Sequence, residues 1–190
     1  MVQRNAPHPR KLDVAVFARA GGELSGEAAW ADLPRLAQTC VPGRPGAPVP
    51  WSVRGEVVRK TGLPDAIRLH LTARAEVWLE CQRCLEPLAD SLAIDCTARF
   101  VEGEEAAAAL DAESEEDVLA LSYAFDLVEW LEDELLLALP LVPRHSECRP
   151  PMPAAGAAPP AAEAPAGQGE PRPNPFAALA ALKDRKRSGS

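Results

Sequence analysis

Ala66-Ile67-Arg68-Leu69-His70-Leu71-Thr72-Ala73-Arg74-Ala75-Glu76-Val77-Trp78-Leu79-Glu80 alternates apolar and polar residues, with Ile67, Leu69, Leu71, Ala73, Ala75, Val77 and Leu79 on one parity. Successive strand side chains point to opposite faces, so this run predicts one long, half-buried strand. Working outward, Val49, Trp51, Val53 and Val57 keep one parity before it, and Leu88, Leu92, Ile94, Cys96, Ala98 and Phe100 keep one after it. These are expected to be adjacent antiparallel strands with one buried face. The turn of the long hairpin is Cys81-Gln82-Arg83-Cys84-Leu85-Glu86-Pro87.

Helical signals surround this sheet. Asp126 and Glu129 make a capping-box pattern, Leu127, Trp130, Leu131, Leu135 and Ala138 share a face, and Pro140 stops the run, so a helix is expected from Asp126 to Leu139. Its apolar face should cover the sheet. Towards the N-terminus, Asp13 is read as the cap of a short helix Val14–Ala20, although Leu12, Val14 and Val16 also alternate as a strand would. Glu23 to Trp30 reads as a strand, Asp32 as the cap of a short helix to Gln38, and Pro42–Pro50 as a loop. The acidic, alanine-rich segment Val101–Asp117 has no period and reads as a solvated loop; Val118–Ser122 reads as another strand. The class expected is α+β: an antiparallel sheet with a CxxC-tipped hairpin, one covering amphipathic helix, short N-terminal helices and a disordered C-terminal tail. The expected layout is a flexible end 1–11, a domain 12–148, a disordered linker 149–172 and a terminal peptide 173–190.

Charge narrows the partners. The 190 residues carry −8, and thirteen Asp or Glu with no Lys or Arg fall between Val101 and Pro143, leaving +5 on the rest. Phosphate binding relies on Lys and Arg displacing counterions, so any RNA contact would have to use the chain ends. The apolar run Val14–Ala18 is too short for a signal peptide, and no segment approaches the roughly 20 apolar residues of a membrane helix. A cytoplasmic location is expected, with no membrane and no small-molecule substrate. Five cysteines there are thiols or metal ligands rather than disulfides.

One Cys pair cannot close a structural zinc site. The other candidate half is His145-Ser146-Glu147-Cys148, so that Cys81, Cys84, His145 and Cys148 would form a Cys3His set for one structural Zn2+ with x-x spacing in each half. Four protein ligands leave no open position for water. The alternative is that Cys81 and Cys84 are bare turn residues and His145 is a solvated loop histidine. Redox chemistry fits less well, because a thioredoxin-like pair opens a helix and here a strand follows. Cys96 is in phase with Ile94 and Phe100 and is read as core. An enzyme is not expected: His8 falls in the flexible end, His70 lies on the strand face opposite Leu69 and Leu71, and no phosphate loop, nucleophile elbow or His-Glu-x-x-His occurs.

Arg149–Arg172 is dominated by Pro, Ala, Gly and Glu and cannot bury enough apolar surface to order itself. After it, Asn174 would cap and Pro175 would open a short helix bearing Phe176, Leu179 and Leu182, followed by Lys183, Arg185, Lys186 and Arg187. Ten residues are too few for a helix alone in water, where roughly 12–15 are needed, so this peptide is expected to dock on a partner.

Three blocks together carry a family resemblance: Leu79-Glu80-Cys81-Gln82-Arg83-Cys84, Glu132-Asp133-Glu134-Leu135-Leu136-Leu137-Ala138-Leu139-Pro140-Leu141-Val142-Pro143-Arg144-His145, and Asn174-Pro175-Phe176-Ala177-Ala178-Leu179-Ala180-Ala181-Leu182-Lys183. In this order and spacing the chain resembles the YceD family, also called large ribosomal RNA subunit accumulation protein. The resemblance implies a cytosolic, non-enzymatic ribosome-biogenesis factor needed for synthesis, processing or stability of 23S rRNA. Cys81 and Cys84 match the family's Cys-x-x-Cys, whereas its second half is variable and here is His145 and Cys148. An acidic domain with a tethered apolar peptide is the layout of an adaptor for a basic ribosomal or rRNA-processing protein. Weak direct rRNA contact through the termini is the competing mechanism, and a zinc-stabilised interaction module without a ribosomal role is the alternative function.

Overall fold

A computed structural model describes residues 7–44, 46–59 and 65–148. The chain divides into a unit Met1–Pro150 and a unit Pro151–Ser190. The linker, the terminal peptide and the basic end expected from sequence lie outside the described residues.

The elements run α1 (Val14–Arg19), β1 (Glu23–Ala28), a 3-10 turn (Trp30–Asp32), α2 (Pro34–Thr39), β2 (Val49–Val58), β3 (Ala66–Glu80), β4 (Pro87–Val101), α3 (Glu104–Asp111), β5 (Asp117–Ala120) and α4 (Leu127–Leu137). The strands form one sheet in the order β1-β2-β3-β4-β5. Pairing is antiparallel from β1 to β4, whereas β5 lies parallel to β4, so the sheet is mixed rather than antiparallel. The α+β class holds. The parallel step requires a crossover, and it is supplied by α3, which forms inside the segment read as a solvated loop. Glu104 and Glu105 favour its N-terminus through the helix dipole, and Ala107 is buried.

The parity read from β3 is the burial pattern. Leu69, Leu71, Ala73, Ala75, Val77 and Leu79 join Val49, Trp51 and Val53 of β2 and Leu92, Ile94, Ala98 and Phe100 of β4 in one core. Cover for that face is shared rather than left to one helix: Leu12, Val14 and Phe17 come from α1 and its approach, Leu33 and Leu36 from α2, and Leu127, Val128, Trp130, Leu131 and Leu135 from α4. Burying each such leucine contributes about 1.5–3 kcal/mol. Phe17 sits so close to β2 that a Cβ at position 55 would meet its ring at 2.7 Å, which is why glycine interrupts the apolar parity between Val53 and Val57.

Caps explain the helix starts. Asp13 accepts from Val16 N–H at 3.0 Å, and Asp126 accepts from Val128 and Glu129 N–H at 2.9 and 3.1 Å. Asp32 does not cap α2, contrary to the sequence pattern, because the helix begins two residues later, at Pro34. Its first amides are received instead by Glu132 of α4, whose carboxylate is almost fully buried. Glu132 Oε1 accepts from Arg35 N (2.7 Å) and Leu36 N (3.1 Å), while Oε2 accepts from Arg35 Nε (2.8 Å). Residues 7–11, read as part of a flexible end, are tied down: Leu127 N–H donates to Pro9 O, and Arg10 pairs with Asp32 at 2.6 Å and Asp126 at 3.4 Å.

Candidate metal centre

At the turn between β3 and β4 the backbone closes tightly on itself. Cys81 N–H donates to Glu86 O at 3.0 Å and Leu85 N–H to Cys81 O at 2.9 Å. To make this turn Leu85 takes φ of +62°, the left-handed region that glycine normally fills. The six-residue turn thereby brings both cysteines to one side of the hairpin tip.

The other half arrives after α4. Pro140 ends the helical run, and the irregular strap that follows is clipped to the turn by Gln82 N–H donating to Pro143 O at 2.9 Å. Cys81, Cys84, His145 and Cys148 then meet, with one ligand atom from each within 4.8 Å of all the others. Zinc-thiolate bonds of about 2.3 Å at the tetrahedral angle would place two sulfurs about 3.8 Å apart, and a sulfur and an imidazole nitrogen about 3.6 Å apart. Cys81 Sγ and Cys148 Sγ are 3.8 Å apart; Cys84 Sγ and His145 Nδ1 are 3.4 Å apart. These are edges of a tetrahedron of the right size.

Support extends beyond the four side chains. His145 Nε2 lies 3.2 Å from Pro87 O, a backbone acceptor of the kind that orients a ligating histidine, and Nδ1 is turned to Cys84 Sγ. Complete burial pushes the Cys81 thiol up, but backbone N–H groups of Cys84, His145 and Arg83 aimed at it, with the Cys84 side chain, outweigh burial and bring it down to about 5. Cys148 moves the other way: burial, then the crowding of Cys81 and Cys84, holds its proton on. Cys81 and Cys148 Sγ, 3.8 Å apart, repel as thiolates, and a cation between them would remove that penalty. The donor set therefore fits a metal ion, and its ligands are sulfur and imidazole rather than oxygen.

Cys40 and Cys96 stand apart. Cys96 is partly buried against the core, and its thiol is pushed up to about 12 by burial and then by Glu134, Asp117 and Asp95. His70 is on the outer sheet face, 3.1 Å from Asp95. The predicted partner-binding residues Asn174, Pro175, Phe176, Leu179, Leu182 and Lys183 lie outside the described residues. Sequence spacing offers no signal for the Pro87 acceptor, because a backbone carbonyl carries no side-chain identity. The Leu85 conformation is equally silent, since Cys-x-x-Cys followed by leucine gives no turn residue to read.

An α+β domain whose hairpin tip and C-terminal strap bring Cys81, Cys84, His145 and Cys148 into a cluster compatible with a metal ion is the class these features define. The family model for "Large ribosomal RNA subunit accumulation protein YceD" matches residues 69–183, and the chain belongs to that family. A Haemophilus influenzae protein named Large ribosomal RNA subunit accumulation protein YceD is 37% identical over 114 residues, covering 58% of this chain and 62% of that protein. The chain thus spans less than two thirds of that relative's length. No solved structure matches it. The family's name ties it to accumulation of large-subunit rRNA. Among the described residues no helix is long and apolar enough to cross a membrane.

Proposed function

We propose that this chain is a non-enzymatic factor for accumulation of 23S rRNA, acting in the cytoplasm through a basic protein partner, with Cys81, Cys84, His145 and Cys148 holding one structural zinc. The observation that carries the reading is the extent of the family match, which takes in both halves of the cluster and the terminal block Asn174–Lys183. A site closed by four protein ligands offers no position for substrate, so the metal's part is to hold the hairpin tip to the strap. The acidic balance between Val101 and Pro143 favours a basic protein over RNA phosphates as the direct contact. Asn174, Pro175, Phe176, Leu179, Leu182 and Lys183 serve as a second partner-binding element at the end of the tether.

The test is the ratio of large- to small-subunit rRNA in cells lacking the protein, with rescue by the full chain, by Cys81→Ser/Cys84→Ser and by a chain ending at Arg172. A lowered ratio restored only by the full chain is expected. A normal ratio would leave a zinc-bearing interaction domain with no ribosomal role. Purified protein should carry about one zinc per chain and melt at a lower temperature on chelation, the strap being released from the hairpin tip while the sheet core persists.

A further inference from the structure

The sulfurs of the cluster can pair in two ways. Cys81 with Cys84 joins residues of the same turn, whereas either of them with Cys148 joins the hairpin tip to the strap. The crossing pair is the one in close contact: Cys81 Sγ and Cys148 Sγ are 3.8 Å apart, while Cys84 Sγ is turned to His145 Nδ1 at 3.4 Å. A disulfide bond is about 2.05 Å long, so about 1.8 Å of approach separates the observed contact from a bond. The backbone on both sides of this pair is held in place. Cys81 N–H donates to Glu86 O, and the next amide, that of Gln82, donates to Pro143 O on the strap that carries Cys148. Joining distant residues costs an unfolded chain much entropy, but the folded domain has already closed this loop. Cys84 and Cys148 are half-buried, so a molecule the size of hydrogen peroxide can reach the cluster from outside.

We infer that the cluster is a reversible redox junction, in which hydrogen peroxide links Cys81 to Cys148, the metal leaves, and the strap stays fastened to the hairpin tip by a covalent bond. Peroxide oxidises one sulfur of the pair to a sulfenic acid, and a first water leaves. The other sulfur displaces the hydroxyl group, the S–S bond forms, and a second water leaves. Two thiols and one peroxide thus give one disulfide and two waters, the sulfurs losing the two electrons that the peroxide oxygens gain. Metal ligation requires thiolates, so the bond leaves Cys84 and His145 as the remaining donors and the ion is released. The choice of pair decides what happens to the fold. A Cys81–Cys84 bond closes within the turn and lets the strap go; the Cys81–Cys148 bond holds together the same two segments that the ion would hold. Cellular thiols reverse it by exchange, and the site then takes up metal again. The release of metal rests on the zinc reading given above, whereas the bond between the sulfurs rests on their geometry alone.

The test oxidises the zinc-loaded full chain with excess hydrogen peroxide and follows zinc release with a chromogenic chelator. Remaining thiols are then blocked with N-ethylmaleimide and the disulfides mapped by non-reducing peptide mass spectrometry. Reduced, metal-free chain is oxidised in parallel. Cys81–Cys148 should be the dominant disulfide in both samples, with Cys40, Cys84 and Cys96 recovered as blocked thiols and zinc binding restored by dithiothreitol. The oxidised, metal-free chain should melt at a higher temperature than the reduced, metal-free chain, and its Val142 and Arg144 amides should exchange with solvent about tenfold more slowly. Cys148→Ser should abolish both gains. A dominant Cys81–Cys84 bond, a bond between chains, or sulfinic acid in place of a disulfide would overturn the proposal. So would an oxidised strap that exchanges as fast as the reduced, metal-free one. The zinc reading is judged separately: a chain purified without zinc that still forms Cys81–Cys148 removes the metal and leaves the disulfide standing, and a zinc-loaded chain that never forms it does the reverse.

Discussion

Replacing Glu132 by alanine separates a carboxylate that organises a helix from one that merely pairs with an arginine. In the native fold its two oxygens receive Arg35 N, Leu36 N and Arg35 Nε, and the amide of Leu36 has no solvent to turn to. Loss of a cap costs about 1 kcal/mol, and a buried donor left without an acceptor costs about 1–3 kcal/mol. Glu132→Ala should therefore destabilise the domain by about 3 kcal/mol, which for a chain of this size lowers Tm by roughly 6–12 °C. Glu132→Gln keeps an oxygen for both amides and should lose about half as much. The Arg35 guanidinium is half exposed, but it donates to a buried carboxylate; Arg35→Met keeps both amide contacts of Glu132 and removes one charge-assisted hydrogen bond, so it should cost about 1.5 kcal/mol, less than Glu132→Ala. Urea titrations with a constant slope give these differences directly. A Glu132→Ala melt within about 2 °C of wild type, or an Arg35→Met loss equal to it, would refute the reasoning.

Three other outcomes follow from the site and its surroundings. In metal-free protein, folding lowers the Cys81 pKa to about 5 from its ordinary 9.0, so between these values the native state binds fewer protons than the unfolded one at this thiol. Its contribution to stability should rise from pH 5 to 9 and vanish as pH falls through 5; urea midpoints at pH 5.5 and 8.5 in Cys81→Ser, compared with wild type, isolate it. Leu85→Gly should stabilise the domain by about 1 kcal/mol by relieving the left-handed backbone; a loss of stability instead would show that the leucine side chain packs within the fold. Cys96, with its thiol near 12, should be alkylated by iodoacetamide about 100–1,000-fold more slowly at pH 8 than a free thiol, which peptide mapping can follow.

Much of the sheet was legible because its signal is local: thirteen residues of alternation from Ile67 to Leu79 leave one register in which Leu69 and Leu71 can be buried, and β2 and β4 repeat it. Asp13 and Asp126 announced their helices because each is followed at once by an apolar run. The parallel strand β5 was not legible as parallel, since direction is decided by the crossover, and α3 within it has only one buried residue to give it a period. The start of α2 was misplaced because its cap comes from Glu132, nearly a hundred residues away. The four ligands could be paired from their x-x spacing, but what carries His145 and Cys148 back to the hairpin is a backbone bond from Gln82 to Pro143 and the route of α4, neither of which leaves a mark in the sequence.

The two halves of the Cys/His cluster are 67 residues apart, counted from Cys81 to Cys148. On a ribosome adding about 5–20 residues per second, the first pair of thiols is made roughly 3–13 s before the last ligand exists. During that interval the β3–β4 hairpin can close on its own local contacts, but its tip holds an incomplete coordination sphere. A nascent chain in this state is exposed to oxidants and to the wrong metal in a way the finished protein is not. For the zinc site proposed above, the order in which the ligands are synthesised would make metal capture a late, sealing event of biosynthesis, and zinc availability at that moment would set the yield of correctly closed molecules.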